Sequence, residues 1–157
     1  MERCRMVFSG SGGQGVITAA IILAESAVLH ENLTAVQTQA YGAAARGGAT
    51  RSDVIISDSQ INFPKVIQPN VLVCLTQESY NKFYDIIRPG GLLISDSRYV
   101  QPQLKVDARQ RELPMYETVM DKIGKPIVFN ICMLGAVVGM TDLVQPASIM
   151  KVLEQRI

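Results

Sequence analysis

The sequence predicts an α/β fold: three layers built on a mostly parallel, twisted, Rossmann-like sheet. Three observations carry that expectation. Short apolar runs alternate with helical patterns along the chain. Two of those runs, VLVCL at 71–75 and LLISDS at 92–97, open as continuous apolar stretches, the pattern of strands covered on both faces. The first run ends in a glycine-rich turn, SGSGGQGV at 9–16, that leads straight into a helix.

The elements follow in order. RMVFSG at 5–10 is a short apolar strand. In residues 15–29, Val16, Ala19, Ala20, Leu23, Ala27 and Leu29 suggest one broad apolar face, and the alanine content favours a helix. NLTAVQTQ at 32–39 is rich in β-formers and reads as a strand. The first 39 residues therefore look like a βαβ unit with parallel pairing and a right-handed crossover. AYGAAARGGATRS interrupts at 40–52, and SDVIIS at 52–57 is the next strand. A connection punctuated by Pro64 and Pro69 leads to VLVCL. TQESYNKFYDII, with Thr76 as N-cap, is an amphipathic helix that RPGG stops. After LLISDS, residues 103–113 hold one or two edge strands. Pro114 starts a helix through about Lys122 and Gly124 ends it. IVFNICMLGAVVGM at 127–140 is a nearly all-apolar helix expected to be buried, and a last helix begins near Pro146.

Composition limits the function classes. A chain of 157 residues suits one domain spanning 1–157. With 48% hydrophobic and 18% charged residues it is globular in character. Its net charge is +1, its basic residues are scattered along the sequence, and it lacks Trp. Nucleic-acid binding, which needs clustered cations or a stacking platform, is not expected. The N-terminal apolar stretch is too short for a signal peptide, and residues 127–140 fall short of the roughly 20 needed to span a bilayer. No membrane association and a cytoplasmic location are the resulting expectations. Cys4, Cys74 and Cys132 form no C-x-x-C pair, which argues against an iron–sulfur cluster or structural zinc held by this chain alone. They read as reduced thiols, with Cys74 and Cys132 in the core.

Two loops carry the candidate chemistry. Gly10, Gly12 and Gly15 have the G-x-G-x-x-G spacing, with Gly13 and Gln14 between them. A strand, a glycine turn and a helix start make an anion site, because unpaired N–H groups of the first helical turn face the ligand. The same glycines would also let the helix pack close to the sheet. An NAD clamp needs an acid at the end of the second strand, and this strand ends in Gln37 and Gln39. Arg46, Gly47 and Gly48 form the second loop. A guanidinium between open backbone positions grips phosphate or carboxylate, or pairs with an acid in its own or a partner chain. Tyr41 either leans over this crevice or packs beneath the loop. Asp96, at a strand end, is placed either for chemistry or to cap a turn. The single histidine, His30, belongs to no recognisable catalytic arrangement.

At these loops the sequence resembles a known family. GSGGQGVITAAIILAESAV followed by VQTQAYGAAARGGATRSDVIIS is similar to the gamma subunits of 2-oxoacid:ferredoxin oxidoreductases, and most like the 2-oxoglutarate, KorC-type branch. NVLVCLTQESYNKF, GGLLISDS and N-x-x-M-L-G-A at Asn130–Ala136 extend the resemblance over nearly the whole chain. Ala43 and Ala44 stand where that pattern leads to Pro-Glu, so a carboxylate partner for Arg46 is missing. The resemblance implies a complex that turns a 2-oxoacid, coenzyme A and oxidised ferredoxin into acyl-CoA, carbon dioxide and reduced ferredoxin. Thiamine diphosphate and iron–sulfur clusters would sit on alpha, beta and ferredoxin-like partner subunits, with ferredoxin as electron acceptor and no cofactor bound by this chain alone. Gly10, Gly12, Gly13, Gln14, Gly15, Arg46, Gly47 and Gly48 would face the coenzyme A crevice or a neighbouring subunit. The alternative left open by the residues is a self-sufficient nucleotide-binding regulatory module.

Overall fold

In the computed structural model, which describes residues 3–39 and 49–156, the apolar run at the start forms β1 (Cys4–Gly10), buried along its last five positions. A 3₁₀ turn (Gly12–Gln14) leads into α1 (Val16–His30). The helix buries Val16, Ala19, Ala20, Leu23 and Ala27 as expected, with Ile22 and Ser26 beside them. Leu29 is a correction: it is 60% exposed. It lies two residues beyond Ala27, about 200° around the helix, and so faces away from the sheet.

β2 (Thr34–Gln39) begins two residues later than its sequence pattern suggests. Asn32 takes a left-handed conformation (φ 55°), and the Leu33 N–H donates to the Ala27 carbonyl at 3.1 Å. That turn closes α1 and uses up the first two residues of NLTAVQTQ. β3 (Thr50–Ser57), β4 (Val71–Cys74), β5 (Gly91–Asp96) and β6 (Ala108–Leu113) follow. α2 (Gln77–Phe83) carries Thr76 as its N-cap, whose hydroxyl accepts the Ser79 N–H at 3.1 Å. α3 (Met115–Lys122), α4 (Phe129–Thr141) and α5 (Pro146–Arg156) complete the described helices. Pro114 and Pro146 sit at the two helix starts where their missing N–H costs nothing.

The strands form one sheet in the order β2-β3-β1-β4-β5-β6. β1, β4, β5 and β6 pair in parallel, while β3 runs antiparallel to both β1 and β2. The sheet is therefore mixed, parallel on one side and antiparallel on the other. The βαβ expectation needs correcting here. β1 and β2 point the same way but do not pair, because β3 returns between them, matching Val54 to Met6 and Ile55 to Val36. β3 has buried residues at most of its positions, so a central place suits it and an edge does not.

Helices α1, α3, α4 and α5 cover one face, around Phe8, Val73, Ile94, Leu134 and Val137. The other face packs α2 and its flanking connections on Val7, Leu72 and Leu93. α4 is not buried all round: Met133, Leu134, Val137 and Val138 face inward, while Met140 is exposed and Ile131 half-buried. Cys74 is core, as expected, but Cys132 is only half-buried at the α3–α4 contact. No helix among the described residues is long and apolar enough to cross a membrane.

Candidate functional site at the glycine rim

β1, β2, β4, β5 and β6 all end at one rim of the sheet. The glycine loop leaves β1 there. The connection that bears Arg46, Gly47 and Gly48 starts from Gln39 at the same rim and returns through buried Ala49 to Thr50. Thr50 pairs with Gly10 across the β1–β3 ladder. The two candidate loops thus share a rung of the sheet at their roots. Tyr41, Arg46, Gly47 and Gly48 themselves lie outside the described residues.

The glycine loop divides into two kinds of position. Gly10 and Gly15 are needed for internal packing. A Cβ on Gly10 would press on the Gln14 side chain and come within 3.2 Å of Leu75 Cβ. Gly15 has φ 74°, and a Cβ there would meet Asn130 Nδ2 at 2.6 Å. Gln14 belongs with them, since its Oε1 accepts the Ser11 N–H at 2.7 Å while the Gln14 N–H donates to the Ser11 carbonyl at 3.2 Å. That reciprocal pair holds the turn shut. Gly12 and Gly13 differ. Both are exposed, and a Cβ would find only Thr50 Oγ1 at 3.7 Å beside Gly12 and nothing within 4 Å of Gly13. An approaching ligand or partner would meet these two, together with N–H groups of the first α1 turn that lack intrahelical acceptors. No acidic residue occupies that turn.

Asn130 is the residue that sequence reasoning did not assign. It lies 8% exposed on α4, and its Nδ2 donates to the Gly15 carbonyl at 3.2 Å. Its only signal was its place in the N-x-x-M-L-G-A pattern. Asp96, also at this rim, resolves to a structural role. It is fully buried; Oδ1 accepts the Tyr116 N–H at 2.9 Å and Oδ2 accepts the Arg98 N–H at 3.0 Å. It caps α3 and the turn after β5. The Arg98 guanidinium lies over the Tyr99 and Tyr116 rings, and Tyr116 meets Phe129 edge-on.

Two of the thiols, Cys74 and Cys132, are poor nucleophiles. Burial pushes Cys74 up to about 12, only partly offset by the hydrogen bond from Ser9. Cys132 is raised by burial and by the charge of Asp96. Among the described residues no group of three or more His, Cys, Asp or Glu gathers to hold a metal. The NAD reading weakens further, because Gln37 Nε2 donates to Gln39 Oε1 at 2.6 Å and to Ser52 Oγ at 2.8 Å. Both amides are tied into the sheet. With β3 between β1 and β2, the end of β2 also stands two strand spacings, about 9.6 Å, from the glycine loop.

The family model for pyruvate ferredoxin/flavodoxin oxidoreductase matches residues 5–157. The chain belongs to this family. Subunit KorC of 2-oxoglutarate synthase from Methanocaldococcus jannaschii is 46% identical over 145 residues, which is 91% of this chain and 78% of that protein. The KorC subunit of Archaeoglobus fulgidus is 38% identical, covering 94% of this chain and 75% of its own length. The gamma subunit of a keto/oxoacid ferredoxin oxidoreductase from Geobacter sulfurreducens PCA superposes with a TM-score of 0.91 at 36% identity, over 100% of this chain and 86% of that one. At 19% identity, the 2-oxoglutarate:ferredoxin oxidoreductase of Magnetococcus marinus shares the fold with a TM-score of 0.85. There the match covers 99% of this chain but 27% of the larger one. In the oxidoreductase family this fold therefore occurs both as a small subunit and as one part of a longer polypeptide.

Proposed function

We propose that this chain is the gamma-type subunit of a 2-oxoglutarate:ferredoxin oxidoreductase. The complex oxidatively decarboxylates the 2-oxoacid to its acyl-CoA and carbon dioxide and passes electrons to ferredoxin. The likeness to KorC subunits along nearly the whole chain carries this reading. Partner alpha, beta and ferredoxin-like subunits supply the remaining machinery, thiamine diphosphate generating the carbanion equivalent and iron–sulfur clusters removing electrons. Among the described residues the three cysteines lie apart, on β1, β4 and α4, and no group of three or more His, Cys, Asp or Glu gathers to ligate a cluster. The chain, a single domain spanning 1–157 in a cytoplasmic complex, acts as an accessory. Gly12 and Gly13, with Arg46, Gly47 and Gly48, border the coenzyme A crevice or a subunit contact, while Gly10, Gln14 and Gly15 hold that border in shape. A free-standing nucleotide-binding regulator finds no support among the relatives.

The test is purification of the tagged chain from its host. The expected result is co-elution with a thiamine-binding subunit, with 2-oxoglutarate- and coenzyme A-dependent viologen reduction by the assembly and none by the chain alone. Activity of the isolated chain, or elution without partners, would overturn the proposal.

A further inference from the structure

On the face that packs α2, residues of β2, β3, α2 and the connection before β4 come together. A cavity of about 400 Å³ opens there, between Thr38, Arg51, Asp53, Lys65, Lys82 and Phe83. An adjoining concavity of about 480 Å³ shares Lys65 and adds Arg5 and Arg88. Five cations that look scattered along the sequence thus line these two concavities, against Asp53 in the first lining and no acid in the second, while the chain's net charge is only +1.

The charges are not equivalent. Arg51 is spent internally: it holds Asp53 through Nε at 2.8 Å and Nη2 at 3.1 Å, and its Nη2 donates to the Val66 carbonyl at 3.0 Å. Arg88 has an interaction of its own. Lys65 and Lys82 make no ion pair among the described residues. Lys82 Nζ nevertheless stands 5.5 Å from the Phe83 ring centroid, and Arg51 Cζ stands 5.5 Å from the same centroid. Two cationic groups are thus held near one ring, and of the two only Lys82 is without a carboxylate partner among the described residues.

We propose that this cavity binds a small phosphorylated molecule through the ammonium groups of Lys65 and Lys82. Ammonium groups act as point charges toward a phosphate, whereas a carboxylate is best met by a guanidinium fork, and the fork of Arg51 is already filled by Asp53. The volume exceeds a lone phosphate and lies in the range of small-molecule sites. Val66, Ile67 and Phe83 give an apolar wall for the organic part. The site does not rest on the oxidoreductase reading, since its evidence is the cavity and its charges alone.

The test titrates pyrophosphate, 5′-AMP and citrate separately into the intact chain and into its purified assembly, followed by calorimetry and by amide chemical shifts. Saturable binding of the two phosphates below about 10 mM is expected, with shifts centred on Thr38, Val66 and Phe83 and an affinity that falls with salt. Lys65→Met with Lys82→Met should weaken it tenfold or more, and Lys151→Met should leave it unchanged. Equal binding of citrate, shifts centred instead on Gly12 and Gly13, no saturation, or an unaffected double variant would each overturn the proposal.

Discussion

At single positions, the glycines of one short loop have separable duties, and substitution can tell them apart. Gly15→Ala forces a side chain into the left-handed region, about 1–2 kcal/mol for the backbone alone, and drives it against Asn130. Gly13→Ala meets nothing within 4 Å and should change stability by no more than about 0.5 kcal/mol. Urea denaturation of the two variants checks this. A loss of complex activity in stable Gly13→Ala then reports on what docks from outside. Asn130→Ala removes one hydrogen bond to the loop and should cost about 1 kcal/mol, read from the same denaturation curves. The sequence made the loop visible through its spacing. It could not separate these duties, because the partner of Gly15 stands 115 residues away and nothing local points to it.

At the level of whole elements, Asp96 decides how β5 hands over to α3. Asp96→Ala would strand two N–H groups beside a fully buried site and should destabilise the chain by about 2–3 kcal/mol. Hydrogen exchange at the Tyr116 amide should speed up before that of β5, since the start of α3 loses its cap. Helices and strands were largely readable because each rests on local signals: Thr76 and Pro114 at starts, the apolar runs of β4 and β5, the alanine-rich stretch of α1. The place of β3 was not. SDVIIS reads as a strand from either neighbour's side, and only long-range pairing with Met6 and Val36 fixes its direction. Leu29 differs for another reason: hydrophobicity alone groups it with Ala27, while the helical angle turns it to solvent.

Across the molecule, a thiol buried under α2 makes folding sensitive to alkali. Burial under α2 pushes the Cys74 thiol from its ordinary 9.0 up to about 12. Between those values the unfolded chain releases a proton that the folded chain keeps, so folding stability from this group is intact below about pH 9 and is lost as pH rises toward 12. The slope is at most about 1.4 kcal/mol per pH unit. Chemical denaturation of Cys74→Ala and the parent between pH 8 and pH 10.5 should show the parent losing more. Iodoacetamide at pH 8 should leave Cys74 unmodified until denaturant is added. Family membership was legible from the paired loops over the whole length, whereas the gathering of Lys65, Lys82 and Arg51 about one cavity depends on how residues from three separate segments converge.

The rung between Gly10 and Thr50 has a mechanical meaning. Gly10, where the glycine loop leaves β1, and Thr50, where β3 begins after the connection, are cross-strand neighbours, so the two roots sit on one rung of the sheet. A displacement of the Thr50 end of β3 is therefore felt first at Gly10, the residue from which the glycine turn springs.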